Sequence, residues 1–313
     1  MKIYRPTYFK DFKCDGRACD SRCCRDWKIS LDEATRQKYS ALPDRADFFK
    51  HVDESAQAFK MQSSGACPFL DENFLCKLQL KRGEDFLPAI CQSFPRVTYK
   101  LSEEIFTQSM TLTCPVAEIL ILLRGEPITF EVADNLQARQ IFNVTGKFSE
   151  PEKFLERQQA AIKILQRREL SINLRLKNLC EFFGENISDI DEKNNAEALT
   201  EIFSEMYNAN LSADKKAHLA AIYRANQENI LAQLHENFSI VLENYLVNEF
   251  FMRLYPCAFS GDEKFNCRVF VTTYRAIEFA AVLTAISRAR LTLEDFLELL
   301  CALSDKFDHS RKD

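Results

Sequence analysis

The distribution of cysteines constrains this chain more than any other feature of its sequence. Twelve cysteines occur in 313 residues, and eight of them lie between residues 14 and 114. The densest run is Cys14-x4-Cys19-x3-Cys23-Cys24, which places four thiols within eleven residues. In a reducing compartment, clustered cysteines are rarely disulfides and more often bind metal or take part in redox chemistry. The first 114 residues are therefore predicted to fold around a cysteine-ligated metal site.

The eight thiols are candidate metal ligands, and their spacing favours an iron–sulfur cluster over a zinc site. They are Cys14, Cys19, Cys23, Cys24, Cys67, Cys76, Cys91 and Cys114. Zinc sites commonly use paired cysteine knuckles and a nearby histidine, whereas these spacings are irregular and His51 is the only histidine in the first 200 residues. Iron–sulfur clusters accept all-cysteine ligand sets on irregular loops, so an iron–sulfur cluster is expected, with zinc as the alternative. The sequence leaves open which thiols ligate and how many clusters form.

The adjacent pair Cys23 and Cys24 raises a geometric difficulty, because neighbouring side chains rarely reach the same ion. One of the two is then a spare thiol, a group that supports a ligand, or a ligand to another iron. The run also lacks the Cys-x3-Cys-x2-Cys triplet of radical S-adenosylmethionine enzymes, since Cys24 stands where a two-residue gap is needed. The four remaining cysteines are predicted to be buried small hydrophobes; they are Cys180, Cys257, Cys267 and Cys301.

Charge and glycine content exclude several classes of function. The formal net charge is −5, which argues against a nucleic-acid partner because phosphate neutralisation requires a surplus of Lys and Arg. Residues 1–50 are nevertheless basic, with twelve Lys/Arg against eight Asp/Glu, and cations near thiolates favour their deprotonated form. The seven glycines are too widely spaced for a phosphate-binding loop, which excludes a dinucleotide or Walker-type site.

The N-terminal residues and the hydropathy pattern predict a cytoplasmic protein that does not insert into a membrane. Residues 1–6 are followed by polar and charged residues, without the apolar stretch of a signal peptide. No segment offers roughly 18 uninterrupted apolar residues. The nearest candidate, Phe279 to Ile286, is short and flanked by Glu278 and Arg288.

The periodicity of apolar residues predicts a mainly α fold in two domains. Residues 1–132 form a cysteine-rich metal or iron–sulfur domain with a small β-hairpin, from residues 96–100 and 105–113. A helix follows from Cys114-Pro115 to about Arg124, and residues 127–132 alternate as one more short strand. Residues 133–313 form an α-helical domain, with helical patterns over 174–183, 196–207, 215–257, 268–289 and 292–307. The polar segment Ser188 to Asn195 is predicted to be a surface loop.

The ordered cysteine motifs resemble those of the flagellin lysine-N-methylase family and of a wider group of zinc- or iron-chelating proteins with a CxxxCxxCC-like signature. The resemblance covers residues 4–132. The motifs that carry it are the run from Cys14 to Cys24, Gly65-x-Cys67-Pro-Phe-Leu, Cys76, Cys91-x-x-Phe94-Pro95-Arg96, and Leu112-Thr113-Cys114-Pro115 with Ala117-Glu118. The family's cysteine positions fall on the eight candidate ligands.

This resemblance implies a bacterial cytoplasmic enzyme that transfers the methyl group of S-adenosylmethionine to lysines of flagellin, with an iron–sulfur cluster. The alternative is a non-enzymatic protein that chelates zinc or iron through the same cysteines. The catalytic residues, the S-adenosylmethionine site, the modified lysines and the oligomeric state are not assigned by the sequence.

Methyl transfer needs a neutral lysine amine, so a group must accept a proton. Asp71, Glu72 and Tyr99 lie beside cysteines and are candidates for that group, although residues of this kind in loops are more often simply solvated. Arg96 either pairs with a carboxylate of substrate or cofactor or anchors its own loop.

Overall fold

The computed structural model describes residues 1–14, 19, 21–25, 27–136, 138–207 and 209–309. The chain divides into two compact units. The first comprises Met1–Ala117 and Phe130–Thr145, and the second comprises Glu118–Thr129 and Gly146–Asp313. The predicted domain boundary between residues 132 and 133 therefore falls inside a segment of the first unit, and the domain layout stays a prediction.

A five-stranded sheet and a two-stranded ribbon lie in the first unit. The strands are β1 (Lys2–Pro6), β2 (Val52–Asp53), β3 (Ala58–Phe59), β4 (Arg96–Lys100), β5 (Ile105–Met110), β6 (Phe130–Ala133) and β7 (Phe142–Asn143). The larger sheet has the order β6-β1-β5-β4-β7, and β2 pairs with β3 in the ribbon.

The predicted hairpin is confirmed as the centre of the larger sheet. Strands β4 and β5 pair antiparallel, with Thr98 opposite Gln108. All six residues of β5 are buried, as expected for a strand with a neighbour on each side and both faces covered. Strand β1, which the periodicity did not predict, pairs parallel with β5 and antiparallel with β6.

Short helices and turns of the first unit contribute to an apolar cluster that lies against several of the cysteines. The helices are α1 (Glu33–Ser40), α2 (Arg45–Phe49), α3 (Lys77–Arg82), α4 (Ala89–Ser93) and α5 (Pro115–Leu122), the last of which continues into the second unit. Three 3-10 turns cover Thr7–Asp11, Arg22–Cys24 and Glu84–Phe86. The cluster contains fully buried Ile29 and Tyr39 together with Phe48, and Cys67 belongs to it. The site is thus held on a packed core.

Eight helices lie wholly within the described part of the second unit. They are α6 (Pro151–Leu165), α7 (Ile172–Phe182), α8 (Ile187–Lys193), α9 (Ala196–Met206), α10 (Ala213–Asn237), α11 (Ser239–Met252), α12 (Glu263–Ser287) and α13 (Leu293–His309). The prediction that the C-terminal region is α-helical is confirmed. Side chains of Ser171, Asn195, Ser212 and Asp262 cap four of these helices by accepting hydrogen bonds from backbone amides.

The loop predicted over Ser188 to Asn195 is wrong, because α8 covers most of it. Asn186 caps this helix by accepting a hydrogen bond from the Ser188 amide, and Ile190 is buried. The polar residues of the segment form the solvent-facing side of a short helix. High polarity alone therefore does not distinguish a loop from a one-sided helix.

One described helix, α12, is long and apolar enough to cross a membrane by length and composition alone. Of its most apolar window, 61% is buried inside the protein, as in the core helix of a folded domain. The absence of membrane insertion stays a prediction.

Candidate metal centre

All eight candidate cysteines line one cavity of about 330 Å³ in the first unit. Cys67 and Cys114 are buried, Cys14 is exposed, and the other five are half-buried. The fold therefore brings together thiols that are up to 100 residues apart in sequence. Their role as metal ligands remains a prediction.

Helix starts and tight turns carry most of these thiols. Cys23 and Cys24 lie in the 3-10 turn Arg22–Cys24, Cys76 immediately precedes α3, Cys91 lies in α4, and Cys114 immediately precedes α5. Such positions fix the Cα atom firmly while leaving the side chain at the edge of its element.

Hydrogen bonds and apolar packing tie the cysteine loops to one another. The Cys67 amide donates to the Cys24 carbonyl at 2.7 Å, which joins the first cysteine run to the second. The indole N–H of Trp27 donates to the Cys23 carbonyl at 2.8 Å. Cys24, Trp27 and Cys91 also pack against the apolar cluster of the first unit. These contacts hold the thiols on the cavity wall.

The adjacent Cys23 and Cys24 are close enough to serve one metal ion. Their Sγ atoms are 3.9 Å apart. Two thiolates on one tetrahedral ion, with metal–sulfur bonds of about 2.3 Å, lie roughly 3.8 Å apart. The 3-10 turn brings both side chains to the same cavity, and which of the two thiols binds metal stays a prediction.

Burial raises the pKa of most of these thiols above the ordinary cysteine value. It raises the pKa of Cys67 and of Cys114 to about 11, although backbone amides at the start of α5 partly oppose the effect at Cys114. Burial also raises the pKa of Cys91 well above the ordinary value. Cys23 differs from these thiols, because a hydrogen bond with Cys24 lowers its pKa. A bound cation would place positive charge beside the other thiols and so stabilise their thiolate forms.

The eight thiols suit a metal group that binds several separate cysteines better than one ion in a site that is already formed. Soft thiolate ligands select zinc, copper(I) or iron–sulfur clusters. Within the described residues, no group of three or more His, Cys, Asp or Glu side chains is already arranged to hold one ion. A wall of eight thiols around an open volume is compatible with a multi-iron group, which binds cysteines at several separated corners.

Charged side chains at the cavity wall favour anionic thiolates. Lys13, Arg22 and Arg96 line the cavity, and Glu84 is the one carboxylate among its described lining residues. The basic character of residues 1–50 is thus partly concentrated at the thiols. Glu84 was not predicted as a site residue from the sequence. The one feature that could have indicated it is its position directly after Gly83, which ends α3 and has a positive φ of 84°.

The three residues considered as proton acceptors lie outside this cavity. Asp71 accepts hydrogen bonds from the amides of Asn73 and Leu75, which is the role of a turn-forming side chain. Glu72 is exposed, and the ring of Tyr99 packs against Phe142 at 5.7 Å between centroids.

The four cysteines that were predicted to be buried small hydrophobes belong to the second unit. Cys180, Cys267 and Cys301 are buried, as expected for small apolar residues, and Cys257 is half-buried. The Sγ atoms of Cys180 and Cys267 are 3.9 Å apart.

Two family models match the chain. The model described as "Putative zinc- or iron-chelating domain" matches residues 13–115, which include all eight cavity cysteines. The model described as "FliB lysine N-methylase C-terminal domain" matches residues 197–313. The second match covers a region that sequence reasoning could not relate to any family, because its helical pattern is generic.

Three curated relatives are similar to the chain. Lysine-N-methylases of Salmonella choleraesuis and Salmonella typhimurium are 31% and 30% identical to it over 165 residues, which are 50% of this chain and 40% of each relative. The flagellar biosynthetic protein FliU of Salmonella muenchen is 34% identical over 132 residues, which are 39% of this chain and 78% of that protein. The chain thus spans well under half the length of the two lysine-N-methylases. No solved structure matches it. The resemblance found in the cysteine motifs is confirmed.

Proposed function

Since the chain belongs to the FliB lysine-N-methylase family, we propose that it is a protein lysine N-methyltransferase that acts on flagellin. The observation that carries the proposal is the convergence of all eight family-pattern cysteines on one cavity, in a chain whose C-terminal region matches the FliB model. The names of the relatives, lysine-N-methylase and flagellar biosynthetic protein, support both the reaction and the substrate.

The cavity cysteines would hold an iron–sulfur cluster, with [4Fe–4S] as the expected type. The candidate ligands are Cys14, Cys19, Cys23, Cys24, Cys67, Cys76, Cys91 and Cys114. When bound, the cluster supplies positive charge that stabilises the thiolates and fixes the loops that carry them. All eight of these cysteines are free thiols in the structure, as metal ligation requires.

S-adenosylmethionine is the proposed methyl donor, and methyl transfer to lysine is a displacement on its sulfonium. The lysine amine must be neutral to attack, although its ordinary pKa is about 10.4. Apolar residues of the cavity wall, including Phe12, Leu87 and Phe94, would disfavour the charged ammonium by excluding water. This desolvation is the contribution to the reaction that the chain's own residues support.

Mass spectrometry of flagellin tests the proposal. Flagellin produced together with this chain should gain the mass of one or more methyl groups on lysine residues, and flagellin produced alone should not. A Cys91→Ser variant should abolish the gain, whereas Cys301→Ser, which alters a buried cysteine of the second unit, should preserve it. Unmodified flagellin in the presence of metal-loaded wild-type protein would contradict an enzymatic role.

That contradictory outcome would favour a second function, the chelation of zinc or iron without catalysis. The family model over residues 13–115 supports this alternative, because its description names chelation alone. The alternative predicts stoichiometric metal on the wild-type chain with no change in flagellin.

A further inference from the structure

A second, more open groove of about 770 Å³ adjoins the cysteine cavity within the first unit. The two share three lining residues, namely Glu84, Gln92 and Arg96. The groove has the size of a small-molecule site, which typically occupies roughly 300–1,000 Å³. A ligand bound at this junction would lie next to the wall of the cysteine cavity.

Arg96 lies at the junction, and most of its N–H donors have no hydrogen-bond partner among the described residues. Its guanidinium lies 4.8 Å from the ring centroid of Phe12 and 5.8 Å from that of Phe9, and it donates one long hydrogen bond of 3.4 Å to the Phe12 carbonyl. In the part of the chain that the structure describes, it forms no ion pair. A guanidinium has five N–H donors, so most of its hydrogen-bonding capacity is available to a ligand.

The other cations of the groove are already paired. Arg5 donates to Glu131 at 2.9 Å, and Lys10 lies 3.6 Å from the same carboxylate. Arg139 is 2.8 Å from Asp85. Arg5 and Lys10 share one carboxylate and Arg139 has its own, so Arg96 is the one cation among the described lining residues of the groove that has no carboxylate within ion-pairing distance.

Two further polar groups near Arg96 lack partners within the described residues. Ser93, at the end of α4, is only 8% exposed, and its Oγ has no hydrogen-bond partner although it lines the groove. A buried hydroxyl without a partner is unfavourable and indicates that a ligand or water completes its hydrogen bonding. Glu84 is exposed at the junction, and no described cation, Arg96 included, lies within ion-pairing distance of its carboxylate, although the charges of Glu84 and Arg96 interact electrostatically.

We propose that this junction binds the α-amino-carboxylate end of S-adenosylmethionine. Arg96 receives the carboxylate, for which its planar fork is suited. Ser93 donates a further hydrogen bond to the same anion, and Glu84 accepts from the ammonium group. A guanidinium and a carboxylate that border the same groove without forming a direct ion pair match the charge pattern of a zwitterionic amino acid.

This assignment rests on the proposed function, which requires the methyl donor to lie beside the cysteine cavity. The competing occupant is the lysine side chain of the protein substrate. An ammonium group alone would gain from Glu84 but would be repelled by the unpaired guanidinium of Arg96, and it would leave Ser93 and Arg96 without an acceptor. The zwitterion satisfies all three groups.

Calorimetric titration of the metal-loaded full chain with two ligands tests the assignment. S-adenosylhomocysteine carries the amino-carboxylate end, and 5′-methylthioadenosine lacks it. Arg96→Met should weaken the binding of S-adenosylhomocysteine by roughly tenfold to a hundredfold, as expected when hydrogen bonds to a charged group are lost. The same variant should bind methylthioadenosine as the wild type does.

Matched variants separate a binding role from a structural one. Arg82→Met removes a guanidinium of the same unit that is paired with Asp44 at 2.7 Å and lies outside both cavities, so it should leave both affinities unchanged. Arg96→Lys keeps the charge without the planar fork and should weaken S-adenosylhomocysteine alone by several-fold. That variant also provides the test if Arg96→Met fails to fold.

Each contrary outcome is distinct. If Arg96→Met or Arg96→Lys weakens both ligands equally, or neither, the groove assignment is overturned while the proposed function stands. If these variants keep S-adenosylhomocysteine binding and lose flagellin binding, the junction belongs to the protein substrate. If the wild-type chain binds no S-adenosylhomocysteine, the proposed methyl donor itself is contradicted.

Discussion

Asp32 links two elements around the cysteine cavity, and its replacement by alanine should destabilise the first unit. Its carboxylate caps α1 by accepting from the Thr35 amide at 2.9 Å and from the Thr35 hydroxyl at 2.6 Å. It also accepts from the Ala89 amide at 3.0 Å, at the start of α4, which carries Cys91. Asp32→Ala removes the acceptor for both helix starts.

The magnitude follows from these bonds. Loss of an N-terminal cap costs about 1 kcal/mol, and leaving a partly buried amide without its acceptor costs about 1 to 2 kcal/mol more. The free energy of unfolding should therefore fall by about 2 to 3 kcal/mol. Asp32→Asn retains one acceptor oxygen and remains a good cap, so its cost should be about 1 kcal/mol.

Urea denaturation followed by tryptophan fluorescence measures this difference. Trp27 is the single tryptophan of the chain, and it packs against the apolar cluster of the first unit, so its emission reports on that unit. The comparison requires wild type and variants of equal metal content, because bound metal adds to stability. A loss below about 0.5 kcal/mol for Asp32→Ala, within the range of ordinary surface changes, or equal losses for the two variants, would refute the reasoning.

Two further predictions concern acid stability and a buried ion pair. Burial alone would raise the pKa of Asp32, but hydrogen bonds from Thr35 and Ala89 outweigh it and lower the pKa. The stabilisation of the folded state by the Asp32 carboxylate is therefore complete above about pH 3.9, the unfolded-state pKa, and is lost as the pH falls through the lower folded-state pKa. The difference between wild type and Asp32→Ala in urea should accordingly shrink in acid, and an unchanged difference there would argue against the carboxylate. Glu243 is 1% exposed and lies 2.9 Å from a nitrogen of Arg175, so Glu243→Gln should destabilise the second unit by roughly 3 kcal/mol. Thermal unfolding should show almost no effect of Glu201→Gln, whose carboxylate pairs with a lysine at the surface, and similar effects of the two changes would contradict the role of burial.

Local sequence patterns predicted the elements whose partners are close in the chain. The hairpin of β4 and β5 was predictable because its strands alternate and are joined by four residues. Strand β1 was missed because Ile3 pairs with Phe106, about 100 residues away, and periodicity over five residues carries no information about so distant a partner. The helical pattern over 215–257 did not reveal that α10 ends at Asn237 and a separate helix, α11, follows.

The candidate site was predictable to the extent that cysteine chemistry determines it. Free thiols packed this densely have few roles other than metal binding, so the eight candidates were identified from spacing alone. Glu84 and Ser93 were not, since one is an exposed acid in a turn and the other a small residue at a helix end. They were proposed as ligand-binding groups because they line the groove beside the cysteine cavity, a position that only the folded chain reveals.

The most direct test of the account is the metal content of the chain purified without oxygen. Wild-type protein should contain iron and acid-labile sulfide in a constant ratio per chain and should show the visible absorption of an iron–sulfur cluster. Cys91→Ser should lose most of both, while Cys301→Ser should match the wild type. Wild-type protein without bound iron or zinc, or equal metal content in the two variants, would contradict the claim that the cavity thiols form a metal centre.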